Sequence, residues 1–366
     1  MTTRFSHAPF AIVLALSACA VESTSHPDAG PLLTVKGRYR NNAVWLTYNY
    51  AADLRFVSNV PDLATRMTTS YGVTYLFSNI GHLNPQGQLA NPPSHAPQFL
   101  NAVDNWERAG GARLTVVAWL NALTDSVNLS DPSVRATIRR ECNKLLSPSA
   151  TGSYVPGASR PFDGLILDFE PSGGDATRFA ALIALVDGIR QDIQAIGLPN
   201  AKIGLAAHTL GTQNAYHWSA DFYAQMAHHA DFLCAMTYDS GISTAAAYQT
   251  WIENQLGSIL AALHAGETQG QAPLPGFRLF VGLAAYPASS YHHVAAENIA
   301  SGAAGLDAAL VQLINAGDSS VQWFQGAAVF LHTDGSGQDG YAGWTTDWSS
   351  FQQGWLGVGE RHAIVQ

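Results

Sequence analysis

The sequence is poor in charge and in clustered cations. Only 12% of its 366 residues are charged, and 18 Lys and Arg stand against 27 Asp and Glu, which gives a formal net charge of -9. No Lys/Arg-rich run occurs anywhere in the chain. Because a nucleic-acid groove needs clustered cations to neutralise phosphates, we expect no nucleic acid among the partners and favour an uncharged ligand.

Motifs of several enzyme and metal-binding classes are also missing. There is no Gly-x-Ser-x-Gly elbow, no P-loop, and no Cys-x-x-Cys or Cys/His pattern with metal-ligand spacing. The adjacent pairs His228-His229 and His292-His293 diverge on a helix and do not suit a shared metal. A Gly-x-Gly-x-x-Gly match at 335–340 lacks the following helix that a dinucleotide site needs. We therefore expect neither a metal nor a cofactor.

An apolar run near the amino terminus is too short to span a membrane. It covers Pro9–Leu16, is preceded by Arg4 and no acid, and ends in Leu-Ser-Ala-Cys19. A membrane-spanning helix needs about 20 apolar residues, whereas a charged start and a short apolar middle are typical of a secretory signal. The last four residues resemble the lipobox of bacterial lipoproteins, in which the cysteine becomes the lipidated first residue. An ordinary signal peptide with a chance cysteine is the alternative.

The lipobox resemblance implies a signal peptide over residues 1–18 and a lipid anchor on Cys19, which would hold an exported protein at a membrane. No Asp follows the cysteine, and in Gram-negative lipoproteins that Asp retains the protein at the inner membrane, so we expect the outer membrane. Residues 19–40 predict a flexible tether. Cys142 and Cys234 remain in a compartment that permits disulfides; we expect buried free thiols, and a disulfide bond stays open.

Eight short apolar runs after the tether predict parallel strands buried on both faces. Each run is followed by a segment with helical spacing, and eight such repeats are typical of a single (β/α)8 TIM barrel, here over residues 41–358. A doubly wound open sheet is the alternative, but the glycines of a nucleotide-binding first turn are missing after Tyr48. The predicted strands are Val44–Tyr48, Val73–Asn79, Leu114–Trp119, Gly164–Glu170, Lys202–His208, Phe232–Asp239, Leu279–Tyr286 and Ala327–His332. The predicted helices are Pro61–Ser70, Pro97–Arg108, Asp131–Leu146, Ala176–Ile196, Ser219–His229, Ala245–His264 and Ala303–Ala316.

Polar and aromatic residues gather where the predicted strands end. In a TIM barrel the carboxyl ends of the strands carry the active site, so this concentration indicates a cleft for a polar ligand. The chain has nine Trp, whose rings can stack on sugars, although a place in the core is the more common role of any one of them. The strand-end candidates for contacting substrate are Tyr48, Asn79, Trp119, Asn121, His208, Tyr286 and His332, with Tyr50, His82 and Asp334 beside them.

The fourth strand ends in two acids, Asp168 and Glu170. They are two residues apart, so both side chains point to the same face of the strand, at the mouth of the barrel. Two carboxylates this close resist ionising together, which pushes one pKa upward. Glycoside cleavage needs such a carboxylic acid beside a carboxylate. A structural pair bound to Arg or to backbone N–H groups is the alternative.

Two motifs resemble glycoside hydrolase family 18, the chitinase and endo-β-N-acetylglucosaminidase family. The fourth-strand motif of that family is Asp-Gly-x-Asp-x-Asp-x-Glu, and residues 163–170 match it except at Ile166, where the family has its middle Asp. The sixth-strand motif, Met-x-Tyr-Asp/Asn, is matched in full by residues 236–239.

The resemblance implies a retaining glycosidase for an oligo- or polysaccharide that contains N-acetylhexosamine. Glu170 would be the general acid and then the general base, Asp168 would hold the substrate's acetamido group, and Tyr238 would hydrogen-bond its carbonyl. In that family the acetamido oxygen is the nucleophile, so configuration is retained without a covalent enzyme ester. Asp239 and Asp163 would complete the substrate-binding residues.

The sequence departs from the family pattern on three strands. Ile166 removes the relay that shares a proton with Asp168, the third strand lacks Ser-x-Gly-Gly, and the eighth lacks the Trp that floors the cleft, although Trp323 and Trp344 lie nearby. Two further hypotheses therefore stay open. One is a carbohydrate-binding barrel without turnover; the other is a glycosidase for a sugar without an acetamido group, with Asp168 as nucleophile or stabiliser.

Overall fold

Eight parallel strands close into a barrel in the computed structural model of this chain. Each strand pairs with the next along the chain, and the last pairs with the first. A single (β/α)8 barrel is thereby confirmed, and the open-sheet alternative is wrong. The strands are β1 (Asn42–Leu46), β2 (Val73–His82), β3 (Thr115–Ala122), β4 (Gly164–Phe169), β5 (Lys202–Ala207), β6 (Phe232–Ala235), β7 (Arg278–Ala284) and β8 (Phe324–His332).

The structure describes residues 39–122, 126–170, 176–211, 217–287, 291–333, 337, 341 and 344–362. The predictions for the signal peptide, for Cys19, for most of the tether and for Asp334 lie outside these residues. Tyr39, which falls in the stretch predicted as a tether, is buried with its ring centroid 4.4 Å from that of Trp355. Its hydroxyl donates a 2.6 Å hydrogen bond to Oδ1 of Asp307.

All seven predicted helices are present. Asp131 caps one of them by accepting the N–H of Ser133 at 2.7 Å, with Pro132 in the first turn, as the sequence predicts. None of the helices among the described residues is both long and apolar enough to cross a membrane. The helices are α1 (Asn49–Ala52), α2 (Leu54–Val57), α3 (Val60–Tyr71), α4 (Ala96–Arg108), α5 (Pro132–Leu146), α6 (Ala176–Ala195), α7 (Ala220–His229), α8 (Ala245–Thr268), α9 (Ile299–Asn315), α10 (Trp348–Phe351) and α11 (Gly357–His362).

Large apolar side chains fill the barrel interior below the mouth. Ile166 of β4 is fully buried there with Trp45, Phe77 and Phe280. Since side chains alternate along a strand, Asp168 and then Glu170 follow Ile166 on the same interior face. A larger cluster of buried residues lies between the strands and the helices. The packing therefore closes the barrel below the two acids and leaves its carboxyl end for a site.

The amino end of β4 is packed too tightly for any side chain at its first residue. A Cβ on Gly164 would collide with the backbone of Lys202 on β5. Cys142 on α5 and Cys234 on β6 are both buried free thiols, as predicted, and no disulfide joins them.

Candidate active site

Asp168 is held in place by two neutral donors from β3. The strand register sets Asn121 beside Asp168, and Trp119 lies two residues earlier on the same face of β3. The indole N–H of Trp119 and the side-chain amide of Asn121 each donate to Oδ2 of Asp168 at 2.9 Å. Both residues were predicted to bind substrate; the structure shows that they also orient the acid, and a direct contact with substrate stays a prediction.

The environment of Asp168 favours its protonated form. Burial raises the pKa of this carboxyl, while the hydrogen bonds from Trp119 and Asn121 and a hydrogen bond with Glu170 act in the opposite direction. Only 5% of the Asp168 surface is exposed. The two acids therefore form a hydrogen-bonded pair in which burial favours retention of a proton, as an acid and carboxylate pair requires.

A cavity of about 680 Å³ opens above this pair, and we call it the first chamber. It brings together nine of the predicted site residues, namely Tyr48, Asn79, Trp119, Asn121, Asp168, Glu170, Tyr238, Asp239 and Tyr286. Its other lining residues are Trp45, Gly81, His82, Asn91, Met236, Pro287, Phe330, Tyr341 and Trp344, most of which the sequence analysis missed as site residues.

Aromatic rings form much of the first chamber's wall. Phe330 of β8 lies nearly parallel to Tyr238, with centroids 5.3 Å apart and planes at 22°. Trp344 stacks on Tyr286 at 5.4 Å and 23°. Phe330 thus supplies a ring from the strand that lacks the expected Trp. Flat apolar faces beside carboxylates suit sugars, whose rings have apolar faces and polar edges.

The loop after β6 positions Tyr238 and Asp239. Asp239 has a φ of 56°, a left-handed conformation that is uncommon for a residue other than glycine. The neighbouring N–H of Ser240 donates to the fully buried Glu297 at 3.0 Å, which helps to fix this conformation. Burial raises the pKa of Tyr238 well above its usual range, so its hydroxyl remains a hydrogen-bond donor at every physiological pH.

Burial also raises the pKa of Tyr286, and the neighbouring Asp239 adds to that shift. Tyr48 and Asn79 face the chamber but have partners of their own. The Tyr48 hydroxyl donates to the carbonyl of Asn91 at 3.0 Å, and Asn79 accepts the N–H of Gly81 at 2.8 Å. Both side chains therefore also shape the chamber's rim.

A second cavity, of about 660 Å³, adjoins the first, and we call it the second chamber. The two share four lining residues, so Glu170 faces both of them. His208 lies here, with Nε2 3.9 Å from Oε2 of Glu170. Burial lowers the pKa of His208 to about 4, so its imidazole is neutral at neutral pH. The lining residues are Glu170, His208, Thr209, His217, Met236, Tyr238, Asp239, Ser240, Gly241, Trp251 and Tyr291.

Two predicted site residues lie outside both chambers. Asp163 precedes β4 at the opposite end of the barrel, where it pairs with Arg160 and, at 2.5 Å, with Arg113. It also accepts the N–H of Val116 at 2.7 Å, so its role is structural. His332 ends β8 but lines neither chamber, because Trp348 and Tyr50 pack against its ring.

The partners of His332 are aromatic. Trp348 of α10 donates to its Nδ1 at 3.2 Å, and Tyr50 stacks on it at 5.9 Å. Among the residues that the structure describes, no group of three or more His, Cys, Asp or Glu side chains converges in a way that could hold a metal ion.

Comparisons with known proteins bear on the fold. No family model matches the sequence, and no curated protein matches it. Among solved structures, the Ostrinia furnacalis Group IV chitinase matches with a TM-score of 0.52 at 13% identity, over 87% of this chain and 100% of that chain. The xylanase and alpha-amylase inhibitor protein from Scadoxus multiflorus matches with a TM-score of 0.52 at 16% identity, over 87% and 98%.

A GH18 chitinase mutant from Cycas revoluta, in complex with (GlcNAc)4, matches with a TM-score of 0.50 at 12% identity, over 87% of this chain and 99% of that chain. At such low identity these likenesses show a shared fold. The barrel is therefore a divergent member of the fold that GH18 chitinases have, as the two sequence motifs predict.

Proposed function

We propose that this protein is a glycoside hydrolase that cleaves an N-acetylhexosamine-containing glycan with retention of configuration. The observation that carries the proposal is the pair at the end of β4. Asp168 is buried and fixed by Trp119 and Asn121, while Glu170 stands beside it at the junction of two cavities. A fixed carboxyl group next to a second one that can reach a bound sugar is what glycosidic cleavage needs.

In the proposed mechanism Glu170 first acts as general acid. It protonates the glycosidic oxygen while the carbonyl oxygen of the substrate's acetamido group attacks the anomeric carbon and the leaving sugar departs. Asp168 holds the acetamido N–H and offsets the positive charge that develops, and Tyr238 donates to the acetamido oxygen. Glu170, now a carboxylate, removes a proton from the water that opens the cyclic intermediate, so the configuration is retained.

The replacement of the motif's middle Asp by Ile166 is compatible with this mechanism. Ile166 is fully buried in the apolar interior, where an acid would have to be desolvated. The orienting role falls instead to the N–H groups of Trp119 and Asn121, which are neutral and do not compete for the proton that Asp168 and Glu170 share.

The two chambers give the proposed substrate a direction. Asp168 lines only the first chamber, so the sugar with the reacting acetamido group belongs there. The second chamber lies across Glu170 and would receive the leaving group. Room for sugar on both sides of the acid favours cleavage of internal bonds.

A second candidate function is carbohydrate binding without turnover. The Scadoxus multiflorus protein, named as a xylanase and alpha-amylase inhibitor, shares this fold. Ile166 is the residue of this chain that favours the same interpretation, since the family's proton relay is absent.

Paired aryl glycosides test the proposed mechanism. We expect hydrolysis of N-acetylated aryl glycosides to exceed that of the matched de-N-acetylated glycosides by roughly 10²-fold or more, because only the former carry the internal nucleophile. The release of aryl alcohol and the anomeric configuration of the first product by NMR are the measurements. Equal rates would instead favour Asp168 as nucleophile, and inertness toward these and toward chitooligosaccharides, N-glycans and peptidoglycan fragments would leave only the binding function.

We also propose that the protein is exported and anchored in the outer membrane through a lipid on Cys19. We expect Cys19→Ala to move the protein from the membrane fraction to the soluble fraction and to abolish incorporation of labelled palmitate, since the anchor is the acylated cysteine. Cys142→Ala is the matched control, because that thiol is buried in the barrel. Unchanged labelling of Cys19→Ala would contradict the anchor.

A further inference from the structure

Three carboxylic acids line the two chambers. Asp168, Glu170 and Asp239 face the first chamber, and the latter two face the second. Among the described residues, neither chamber has a Lys or Arg in its lining. Arg178 in the first turn of α6 is near in sequence, but it lines neither chamber.

The lack of Lys and Arg extends to the sequence of the internal stretches that the structure does not describe. Residues 123–125, 171–175, 212–216, 288–290, 334–336, 338–340 and 342–343 contain no Lys or Arg, and they contain four Asp. These stretches therefore add no Lys or Arg to the chain between Tyr39 and His362.

The opposite end of the barrel has the reverse character. Arg113, Arg160, Lys202 and Arg278 all lie at or just before the amino ends of strands. Acids accompany these cations there: Arg160 pairs with Glu107 at 2.9 Å, and Lys202 lies 3.7 Å from a carboxylate oxygen of Asp231. At the amino end of the barrel Arg113, Arg160 and Lys202 thus pair with acids, whereas the described lining of the mouth has acids and histidines but no Lys or Arg.

Histidine does not supply the missing positive charge beside Glu170. Its imidazole neighbour is His208, and burial lowers the pKa of that side chain to about 4. His208 is therefore neutral at neutral pH. The other histidines here are His217 in the lining, whose Nδ1 lies 2.8 Å from Oγ1 of Thr209, and the buried His292, whose Nδ1 lies 3.9 Å from Oδ1 of Asp239. Asp239 and Glu170 supply the carboxylates of the second chamber.

We infer that the mouth selects glycans by charge: it accepts uncharged sugars and sugars with a free amine on the leaving-group side, and it excludes sugars that carry a carboxylate, sulfate or phosphate. This inference rests on the proposed function for the direction of the substrate. An anionic group entering either chamber would lose water without gaining a cation, and it would approach at least one carboxylate.

The second chamber has what an ammonium group needs. The side chain of Asp239 lines both chambers and is 46% exposed; it hydrogen-bonds Tyr286, and its Oδ1 lies 3.9 Å from Nδ1 of the buried His292. Trp251, Tyr238 and Tyr291 add aromatic rings to the same lining, and a ring face attracts a cation. Glucosamine, the de-N-acetylated form of the neutral sugar, presents such a cation without added bulk.

Three ligands that differ only in terminal charge test this inference. Chitotetraose is converted at its reducing end to the neutral alditol, the anionic aldonate or the cationic aminoalditol. Binding to the Glu170→Gln protein is measured by calorimetry, so hydrolysis does not interfere. At about 0.01 M salt we expect the aldonate to bind roughly tenfold more weakly than the alditol and the aminoalditol at least as tightly, with the differences shrinking toward about 1 M salt.

A matched pair of variants checks the source of the selectivity. Tyr291, which is 71% exposed at the second chamber, is replaced by Lys or by Gln. We expect Tyr291→Lys to lower the alditol-to-aldonate affinity ratio several-fold and Tyr291→Gln to leave that ratio unchanged.

The outcomes separate this inference from the proposed function. Equal affinities for the three ligands at low salt, or binding of none of them, overturn the charge selection. Selective binding by a wild-type protein that hydrolyses nothing keeps the charge selection and rejects the hydrolase. Hydrolysis of neutral glycans together with equal affinities for the three ligands keeps the hydrolase and rejects the charge selection.

Discussion

Glu170→Gln is expected to lower the hydrolysis of a cleavable glycan by about 10²- to 10⁴-fold, the usual loss when a general acid is removed. Gln has nearly the shape of protonated Glu, so the two chambers keep their form, but it has no proton to transfer to the glycosidic oxygen. We expect chitooligosaccharide affinity to stay within roughly a factor of ten, or 1.4 kcal/mol, of the wild type. Turnover and calorimetric binding on the same preparation give both quantities.

Glu267→Gln provides the matched control for this loss. Glu267 lies near the carboxyl end of α8, exposed and outside both chambers. The same change of chemistry at that position should leave kcat/KM unaltered. A Glu170→Gln protein that retains most of its turnover would remove Glu170 from the mechanism.

Asp168→Asn is expected to reduce turnover by about 10²-fold while making the folded protein more stable at neutral pH. The activity falls because Asn carries no charge to offset the developing cation. The stability rises because burial raises the pKa of Asp168, so the ionised carboxylate is less favourable in the folded protein than in the unfolded chain. An amide oxygen at the same place can still accept from Trp119 and Asn121.

The pH dependence of this stabilisation has a definite sign. A carboxyl whose folded pKa is raised contributes most stability below its unfolded pKa, and that contribution is lost as the pH rises through the folded value. Asn does not titrate, so the melting temperature of Asp168→Asn should exceed that of the wild type by an amount that grows as the pH rises above the unfolded pKa and levels off above the folded pKa. Calorimetric melting over this pH range measures it, and a variant that melts lower at neutral pH contradicts the raised pKa.

Asp163→Asn is the matched substitution at the other end of β4. Asp163 pairs with Arg160, which is only 8% exposed, and removing one member of a buried pair typically costs about 3 kcal/mol. We expect this variant to melt at a lower temperature with kcat/KM unchanged while it is folded. Burial raises the pKa of Asp163 as it does that of Asp168, so the expected loss comes from Arg160 and Arg113, which are left without this carboxylate. The described part of the chain gives Asp168 no arginine partner, and its Asn variant should therefore respond in the opposite direction.

The fold followed from the sequence because local patterns specify it. Apolar runs of strand length that alternate with helical spacing predicted all eight strands and seven helices. The ends of some strands were predicted less accurately, because tertiary contacts decide where those strands stop. The sixth run continues to Asp239, but β6 stops at Ala235, because the loop turns to place Asp239 at φ 56°. The short α1, α2, α10 and α11 were missed, since four to six residues carry little periodicity.

The candidate site was predictable where it depends on one strand and less so where it depends on several. The spacing of Asp168 and Glu170 gave their shared face directly. Asp163 was assigned to the substrate-binding residues because it belongs to the motif. Its position before β4 places it instead at the amino end of the barrel. The covering of His332 by Trp348 depends on a segment packed back from the carboxyl terminus, which no local pattern reveals. Phe330 could have been found as the interior neighbour two residues before His332.

Gly164 has a consequence for how the motif evolves. Its place is dictated by the backbone of β5, and Asp163 before it is tied to arginines, so the first half of the motif is required for the barrel to assemble. Selection on folding alone would preserve these two residues even in a descendant that had ceased to cleave anything. The half that ends in Glu170, which we propose to be catalytic, has no such protection and is free to drift once activity is no longer selected. Asp163 and Gly164 thus indicate common descent, whereas the half that ends in Glu170 indicates whether the proposed chemistry is retained.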